Sequence, residues 1–328
     1  MPALHYYIHG RGRGHATRSR AVITRLREAG HEVVAFAGAD AEPLLRDHVD
    51  TRPVASLLPG TGWGLPRLLG SRVRMAIKAL RQERAPLVIS DGDLPGVIAA
   101  RLTFRPAIAV GHGLVFYCCK RPQQLPHEAW RREASKAWIS SLGAHRRIAV
   151  SFVPLPVERG RLARPAVEHA HAAPRTFDGP VLCYFRDGAP RPVLECLGAL
   201  RRPVILFSLK DPEVAGIRHE PLSRERFSYV QRIARAVVAS AGSQLISECV
   251  AHGTPLLALH APDDDEQALN VAMLRQAGFG DGFPITEFDQ ARLERFMARD
   301  PKLLPTWDAP DVGTAVLEEV HDLLRGRR

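Results

Sequence analysis

Twice along this chain, short apolar runs alternate with amphipathic stretches, and that repetition restricts the fold more than any other feature. In the first half, strands are expected at 4–9, 32–37, 53–56, 87–90, 107–110 and 148–150. Helices are expected at 17–29, 42–48, 64–84, 95–102 and 127–142. Short apolar strands set between helices belong to a parallel sheet covered on both faces. After a proline- and alanine-rich stretch at 154–180 the pattern resumes. Strands then fall at 181–185, 204–208, 217–219, 236–239 and 256–259, and helices at 192–200, 224–232, 244–252, 266–277 and 289–299. A last helical period covers 312–324 and is free to pack back on the first half. The 328 residues exceed what one core normally serves. The expectation is an α/β chain of two Rossmann-like domains, 1–153 and 154–328, facing a cleft.

The net charge of +10 is unevenly placed, at +12 in residues 1–153 and −2 in 154–328. Such asymmetry suits different partners for the two halves, with an arginine-rich composition as the plainer account. A nucleic-acid-binding protein is an alternative that the composition disfavours. Only 6% of residues are aromatic, and no basic stretch is interleaved with aromatics. No apolar run reaches the roughly 18 residues of a membrane span. The opening residues lead straight into a strand, so no signal peptide is expected. Cys118, Cys119, Cys183, Cys196 and Cys249 show no metal-ligand spacing and read as reduced thiols of a cytoplasmic protein. The helix at 64–84 sets Leu65, Leu68, Leu69, Val73, Ile77 and Leu80 against Arg67, Arg72, Arg74, Lys78, Arg81 and Arg84. It suits either an ordinary solvated face or peripheral contact with anionic lipid on the inner face of a membrane.

Residues 240–270 hold the densest chemistry. A strand ends in Ala241-Gly242-Ser243 and a helix opens there, where unpaired N–H groups and the helix dipole favour a phosphate. Glu248 lies one to two turns further on, where a carboxylate can accept ribose hydroxyls. Gly253 and Pro255 then stop the helix and start a strand, after which Asp263-Asp264-Asp265-Glu266-Gln267 opens another helix that carries Asn270. That is a layout for a nucleotide sugar. Turn chemistry explains the glycines but not Glu248, Gln267 and Asn270 together.

A second glycine-rich loop follows the first strand and reads His9-Gly10-Arg11-Gly12-Arg13-Gly14-His15-Ala16-Thr17-Arg18-Ser19. A dinucleotide fingerprint needs a glycine where His15 stands, so that pattern fails by one residue. Asp91-Gly92-Asp93 ends another strand, the place where ligands gather in open α/β sheets. Helix capping is the plainer reading of these aspartates.

These pieces resemble GT-B glycosyltransferases, in particular family 28, the peptidoglycan N-acetylglucosaminyltransferase group, and its smaller bacterial and archaeal relatives. The likeness rests on Ala241-Gly242-Ser243, Glu248, Gly253 with Pro255, Glu266-Gln267, Asn270 and the Gly-x-Gly-His-x-x-Arg-Ser loop. It implies an inverting transferase that takes a sugar from a nucleoside-diphosphate sugar, a UDP-sugar first of all, to a hydroxyl acceptor. The donor would meet Gly242, Ser243, Glu248, Glu266, Gln267 and Asn270. His15 would line the acceptor cleft as general base, since imidazole suits proton removal from a hydroxyl at neutral pH. Asp91 would orient it. Gly12, Gly14, Arg11, Arg13 and His112 would lie on the acceptor or phosphate side, with Arg11 and Arg13 standing where the relatives carry small residues. The acceptor would be lipid-linked or anionic. No metal and no other cofactor is expected, because the Gly242 turn already supplies phosphate donors, although Asp91-x-Asp93 and Asp263–Asp265 match the Asp-x-Asp pattern of metal-dependent transferases. A hydrolysing nucleotide-sugar epimerase of the same fold is the second enzyme reading, and an inactive GT-B binding module a third.

Overall fold

The computed structural model describes residues 2–10, 13–57, 64–167, 178–185, 188–299 and 307–326. Arg11 and Gly12 lie outside the described residues, and Arg13 is described for its backbone alone. In chain order the first series is β1 (Leu4–Ile8), α1 (Arg13–Glu28), β2 (Val33–Gly38), α2 (Glu42–Leu45), β3 (Asp50–Val54), α3 (Leu65–Gln82), β4 (Val88–Asp91) and α4 (Leu94–Leu102). It continues through β5 (Ala107–Gly111), α5 (Leu114–Cys118), α6 (His127–Ser140), β6 (Arg146–Val150) and β7 (Arg161–Ala163). The second series is β8 (Val181–Tyr184), α7 (Arg191–Gly198), β9 (Val204–Phe207), β10 (Ile217–Glu220), α8 (Arg224–Ile233), β11 (Ala236–Ser240) and α9 (Ser243–His252). After it come β12 (Leu256–His260), α10 (Asp265–Gln276), β13 (Asp281–Pro284), α11 (Gln290–Met297) and α12 (Val312–Arg325).

The chain forms two compact units. One comprises Met1–Gln123, Trp130–Ala166 and Asp308–Arg328, the other Gln124–Ala129 and Val167–Trp307. Each is built on one sheet, with order β3-β2-β1-β4-β5-β6-β7 in the first and β10-β9-β8-β11-β12-β13 in the second. Among the described residues every pairing of these named strands is parallel. The α/β class and the two Rossmann-like sheets expected from the sequence are therefore present. In both sheets the strand order reverses once, between β1 and β4 in one and between β8 and β11 in the other. The crevice outside the carboxyl ends of such strands is where open α/β sheets bind ligands.

Alternation along β1 shows how the first sheet is covered. Leu4, Tyr6 and Ile8 enter a core with Val22, Ile23 and Leu26 of α1 and Val312, Ala315, Val316 and Val320 of α12. Tyr7 points to the other face and stacks on Phe36, with ring centroids 4.6 Å apart. There α4 comes so close that a Cβ on Gly96 would lie 2.5 Å from the Tyr7 ring. α12 is anchored beside β7: Val312 N–H donates to the Arg164 carbonyl, and Asp311 caps the helix at the Thr314 N–H.

The differences from the sequence reading are local. The first sheet takes in β7, so the first unit runs on to Ala166, past the division read at 153/154. β7 has three residues and β13 reads Asp-Gly-Phe-Pro, so neither carries an apolar run to betray it. α5 reads Leu-Val-Phe-Tyr-Cys, which has no helical period. α1 begins at Arg13 rather than 17, so Gly14 and His15 lie inside its first turn. In α3 the apolar side, with Val73, Ala76, Ala79 and Leu80, is buried, and so is Arg72. Arg72 donates to Asp93 at 2.8 Å, which removes one cation from the basic face expected of this helix. Arg67, Arg74, Lys78 and Arg81 remain exposed.

Candidate active site

The first cluster sits at the strand-order reversal of the first sheet. His15 lies in the first turn of α1, just past β1, and Asp91 is the last residue of β4. β1 and β4 pair in register from His5↔Val88 to Ile8↔Asp91, and this adjacency brings the two side chains together. His15 Nδ1 is 2.7 Å from Asp91 Oδ1. Arg18, one helical turn on, donates from Nε to Asp91 Oδ2 at 2.8 Å, and Ser19 Oγ–H donates to the same oxygen at 3.2 Å. Residues 15, 18 and 19 share one face of α1, so a single helix presents an imidazole, a guanidinium and a hydroxyl to one carboxylate.

Electrostatics assign the protons. Asp91 is fully buried, and burial alone would raise its pKa. The Arg18 guanidinium and His15 beside it outweigh that and hold the carboxyl well below the usual carboxylate range. An ionised Asp91 accepts only, so Nδ1 of His15 carries a proton towards it, and in a neutral imidazole that leaves the lone pair on Nε2. Arg18 Nη2 also lies 3.1 Å from Nδ1, a closeness that follows from both groups converging on Asp91 Oδ1. The His15 side chain is 30% exposed, so the ring is reachable while its partner is not.

Asp93 faces elsewhere. It caps α4 at the Gly96 N–H and pairs with Arg72, and burial raises its pKa. Asp91 and Asp93 thus serve different arginines. Among the described residues no group of three or more His, Cys, Asp or Glu could hold a metal ion. His112 is buried: Nδ1 donates to the Val150 carbonyl at 2.9 Å and the ring stacks on Phe152. Its neighbour Gly111 lies closer to the cluster, since a Cβ there would sit 3.7 Å from both Arg18 and Asp91. Gly14 is half-buried in the first turn of α1.

The second cluster sits at the reversal point of the second sheet. β11 ends at Ser240, Gly242 is the N-cap of α9, and the first helical hydrogen bond runs from Ile246 N–H to the Gly242 carbonyl. The N–H groups of Ser243, Gln244 and Leu245 precede that bond and form the open positive end of the helix. Gly242 has φ −71°, and an added Cβ would meet nothing within 4 Å. Neither strain nor packing within the fold demands glycine here. Glu248, on the same helix, is 3% exposed and accepts at Oε1 from Arg224 Nη1 at 3.0 Å and from Gln244 Nε2 at 3.1 Å.

The remaining donor-side residues divide. Asp264 caps α10, accepting from the Gln267 N–H at 3.0 Å and from Gln267 Nε2 at 2.8 Å. Glu266 and Gln267 are half-buried in the first turn of α10. Asn270 is fully buried and donates to the Ala241 carbonyl at 3.0 Å. It therefore holds the β11–α9 turn in place from within, in contrast to the sugar contact expected of it. Sequence reasoning quoted Arg18 and Ser19 only as part of the loop signature and gave no role to them, to Arg224 or to Gln244. Three of them carried a signal, at i+3 and i+4 from His15 and i−4 from Glu248. Arg224 carried none, being contributed by a different helix. A groove of about 470 Å³ between α10, β13 and α11 contains none of the candidate residues, and its arginines are largely engaged by Asp281 and Glu287.

The family model described as Glycosyl transferase family 1 matches residues 70–301. The chain belongs to that family. None of the curated proteins matches it. Among solved structures, Acinetobacter baumannii MurG is 15% identical, with 98% of this chain and 100% of that one covered at a TM-score of 0.65. The spinosyn forosaminyltransferase SpnP is 13% identical, with 99% and 94% covered at 0.66. The glycosyltransferase VinC in complex with dTDP is 16% identical, with 98% of both covered at 0.61. At such identities the likeness establishes the fold, which is GT-B. The resemblance to GT-B glycosyltransferases of the family 28 kind is borne out, and this glycosyltransferase is an enzyme. No described helix of it is long and apolar enough to cross a membrane.

Proposed function

We propose that this glycosyltransferase inverts the anomeric centre while moving a sugar from a nucleoside-diphosphate sugar, a UDP-sugar first of all, to a hydroxyl acceptor. The observation that carries the reading is the hydrogen bond from His15 to a buried Asp91 kept ionised by Arg18. Asp91 holds the imidazole in one tautomer, so Nε2 takes the acceptor proton as the hydroxyl oxygen attacks the anomeric carbon. The bond to the diphosphate breaks in the same step, and the electron pair leaves with the nucleotide. Charge growing on the leaving phosphate is met by the N–H groups at the start of α9. Glu248 accepts from the ribose, and Glu266 and Gln267 face the sugar. A solved relative bound to dTDP supports a nucleoside diphosphate on this fold. The basic first half suits an anionic or lipid-linked acceptor.

The test is His15→Ala, followed as nucleotide release with a panel of hydroxyl acceptors. The variant should lose about 10²–10⁴-fold in kcat, the usual contribution of a general base. Its affinity for the nucleoside diphosphate should stay within about twofold. A small, equal loss in both would refute the role of His15.

A further inference from the structure

The groove between α10, β13 and α11 lies apart from both clusters, and its lining is unevenly charged. Arg275 of α10, Arg292 and Arg295 of α11 and Arg299 just past α11 stand against two carboxylates, Asp281 and Glu287. Four cations against two anions leave the lining at +2, whereas residues 154–328 as a whole carry −2. Charge gathered in a concave site against the sign of its surroundings focuses a field on oppositely charged ligands.

Both carboxylates are occupied in orienting the arginines. Asp281 Oδ1 accepts from the Gly282 N–H at 2.9 Å and lies 3.3 Å from Arg275 Nε, while Oδ2 accepts from Arg299 Nη1 at 2.5 Å. Glu287 accepts from Arg292 Nη1 at 2.7 Å, and the Arg292 guanidinium sits 4.7 Å from the centre of the Phe283 ring, which fixes its plane. Among the described residues Arg295 meets no acceptor. A guanidinium has five N–H donors in a rigid fork, so these pairings set the direction of the arginines without exhausting them.

The size and the spacing define the ligand. A groove of about 470 Å³ is in the range of small-molecule sites. From Arg292 to Arg299 the cations extend over about 10 Å, at the rise of a helical chain. A ligand with one charged group meets part of that row, and one with two or more meets all of it. Phosphoryl and carboxylate oxygens both match the guanidinium fork.

We propose that this groove is a second ligand site, which takes a small polyanion carrying at least two phosphoryl or carboxylate groups. It is independent of the donor-site reading, since neither cluster contributes a residue to it.

Calorimetric titration of the full chain with tripolyphosphate, and separately with citrate, tests it. At least one should bind saturably at about 0.15 M ionic strength, where loose surface attraction is largely screened. Binding of neither overturns the proposal. Arg275→Ala combined with Arg295→Ala should weaken that binding tenfold or more. Arg191→Ala combined with Arg218→Ala, which removes two exposed arginines of the same unit, should leave it within twofold. Equal losses from the two pairs would reduce the effect to net charge and overturn the site. Gly242→Val should leave the binding unchanged; a loss there, with none from the groove pair, would move the anion to the start of α9 and equally overturn it. A tenfold preference for one probe assigns the phosphoryl or the carboxylate source, and comparable affinities assign their shared chemistry. Arg295→Ala removes no hydrogen bond between described residues, so this variant, expected to weaken binding threefold or more, decides the matter should the pair fail to fold.

Discussion

At the scale of single residues, Asp91 is where stability and the proposed chemistry meet. Its folded pKa lies below the unfolded value, despite burial, because Arg18 and His15 face it. The stabilisation is therefore present above about pH 4, the ordinary aspartate range, and is lost as the pH falls towards the folded value. Asp93 works in the opposite sense, since burial raises its pKa and its ionised form is disfavoured on folding. Asp91→Asn should strip away the acid-side fall of the urea midpoint between about pH 4 and 2. At pH 7 it should cost about 3–5 kcal/mol, because it removes one member of a buried ion pair. An acid limb identical to that of the wild type would show that Asp91 does not dominate it. His15 and Asp91 could each be picked out from the sequence, one by its glycine loop and one by its strand end. That Arg18 stands behind them could not, because helical spacing names a face and not what the face meets.

At the scale of elements, α9 shows how a helix start becomes a candidate binding surface. Its N-cap is a glycine that the backbone does not need, with φ −71° and open space where a side chain would go. Gly253, at the other end, is needed, since it ends the helix at φ 67°. The contrast predicts that Gly242→Val changes the unfolding free energy by less than about 1 kcal/mol, the scale of N-cap preferences. Nucleoside-diphosphate affinity should nonetheless fall by tenfold or more, as a side chain covers the first-turn N–H groups. Titration and urea melts of the same variant check both halves, and unaltered affinity would remove the phosphate from this helix start. The turn and the helix were legible as residues 240–252. The inward role of Asn270 was not, since a polar residue on a helix declares its face only when the neighbouring turn is in place.

At the scale of the whole molecule, each unit is a parallel sheet whose strand order reverses once, and each candidate cluster lies at that reversal. The first sheet is completed from the far end of the chain, because α12 buries Val312, Ala315, Val316 and Val320 against α1 and β1. Removing 308–328 should take on the order of 5 kcal/mol of apolar burial from the first unit, a large share of an ordinary domain's stability. Cooperative unfolding of that unit at an undiminished urea midpoint would contradict this. The sequence by itself determined the α/β class, the two-fold repetition and most elements, because apolar periodicity is local and survives without neighbours. It also named the imidazole, the buried carboxylates and the helix starts, since those depend on residue type beside a turn. Tertiary structure alone decided that β4 lies against β1 and that Arg224 arrives at Glu248. Each is a pairing between distant segments, selected by the packing of whole surfaces.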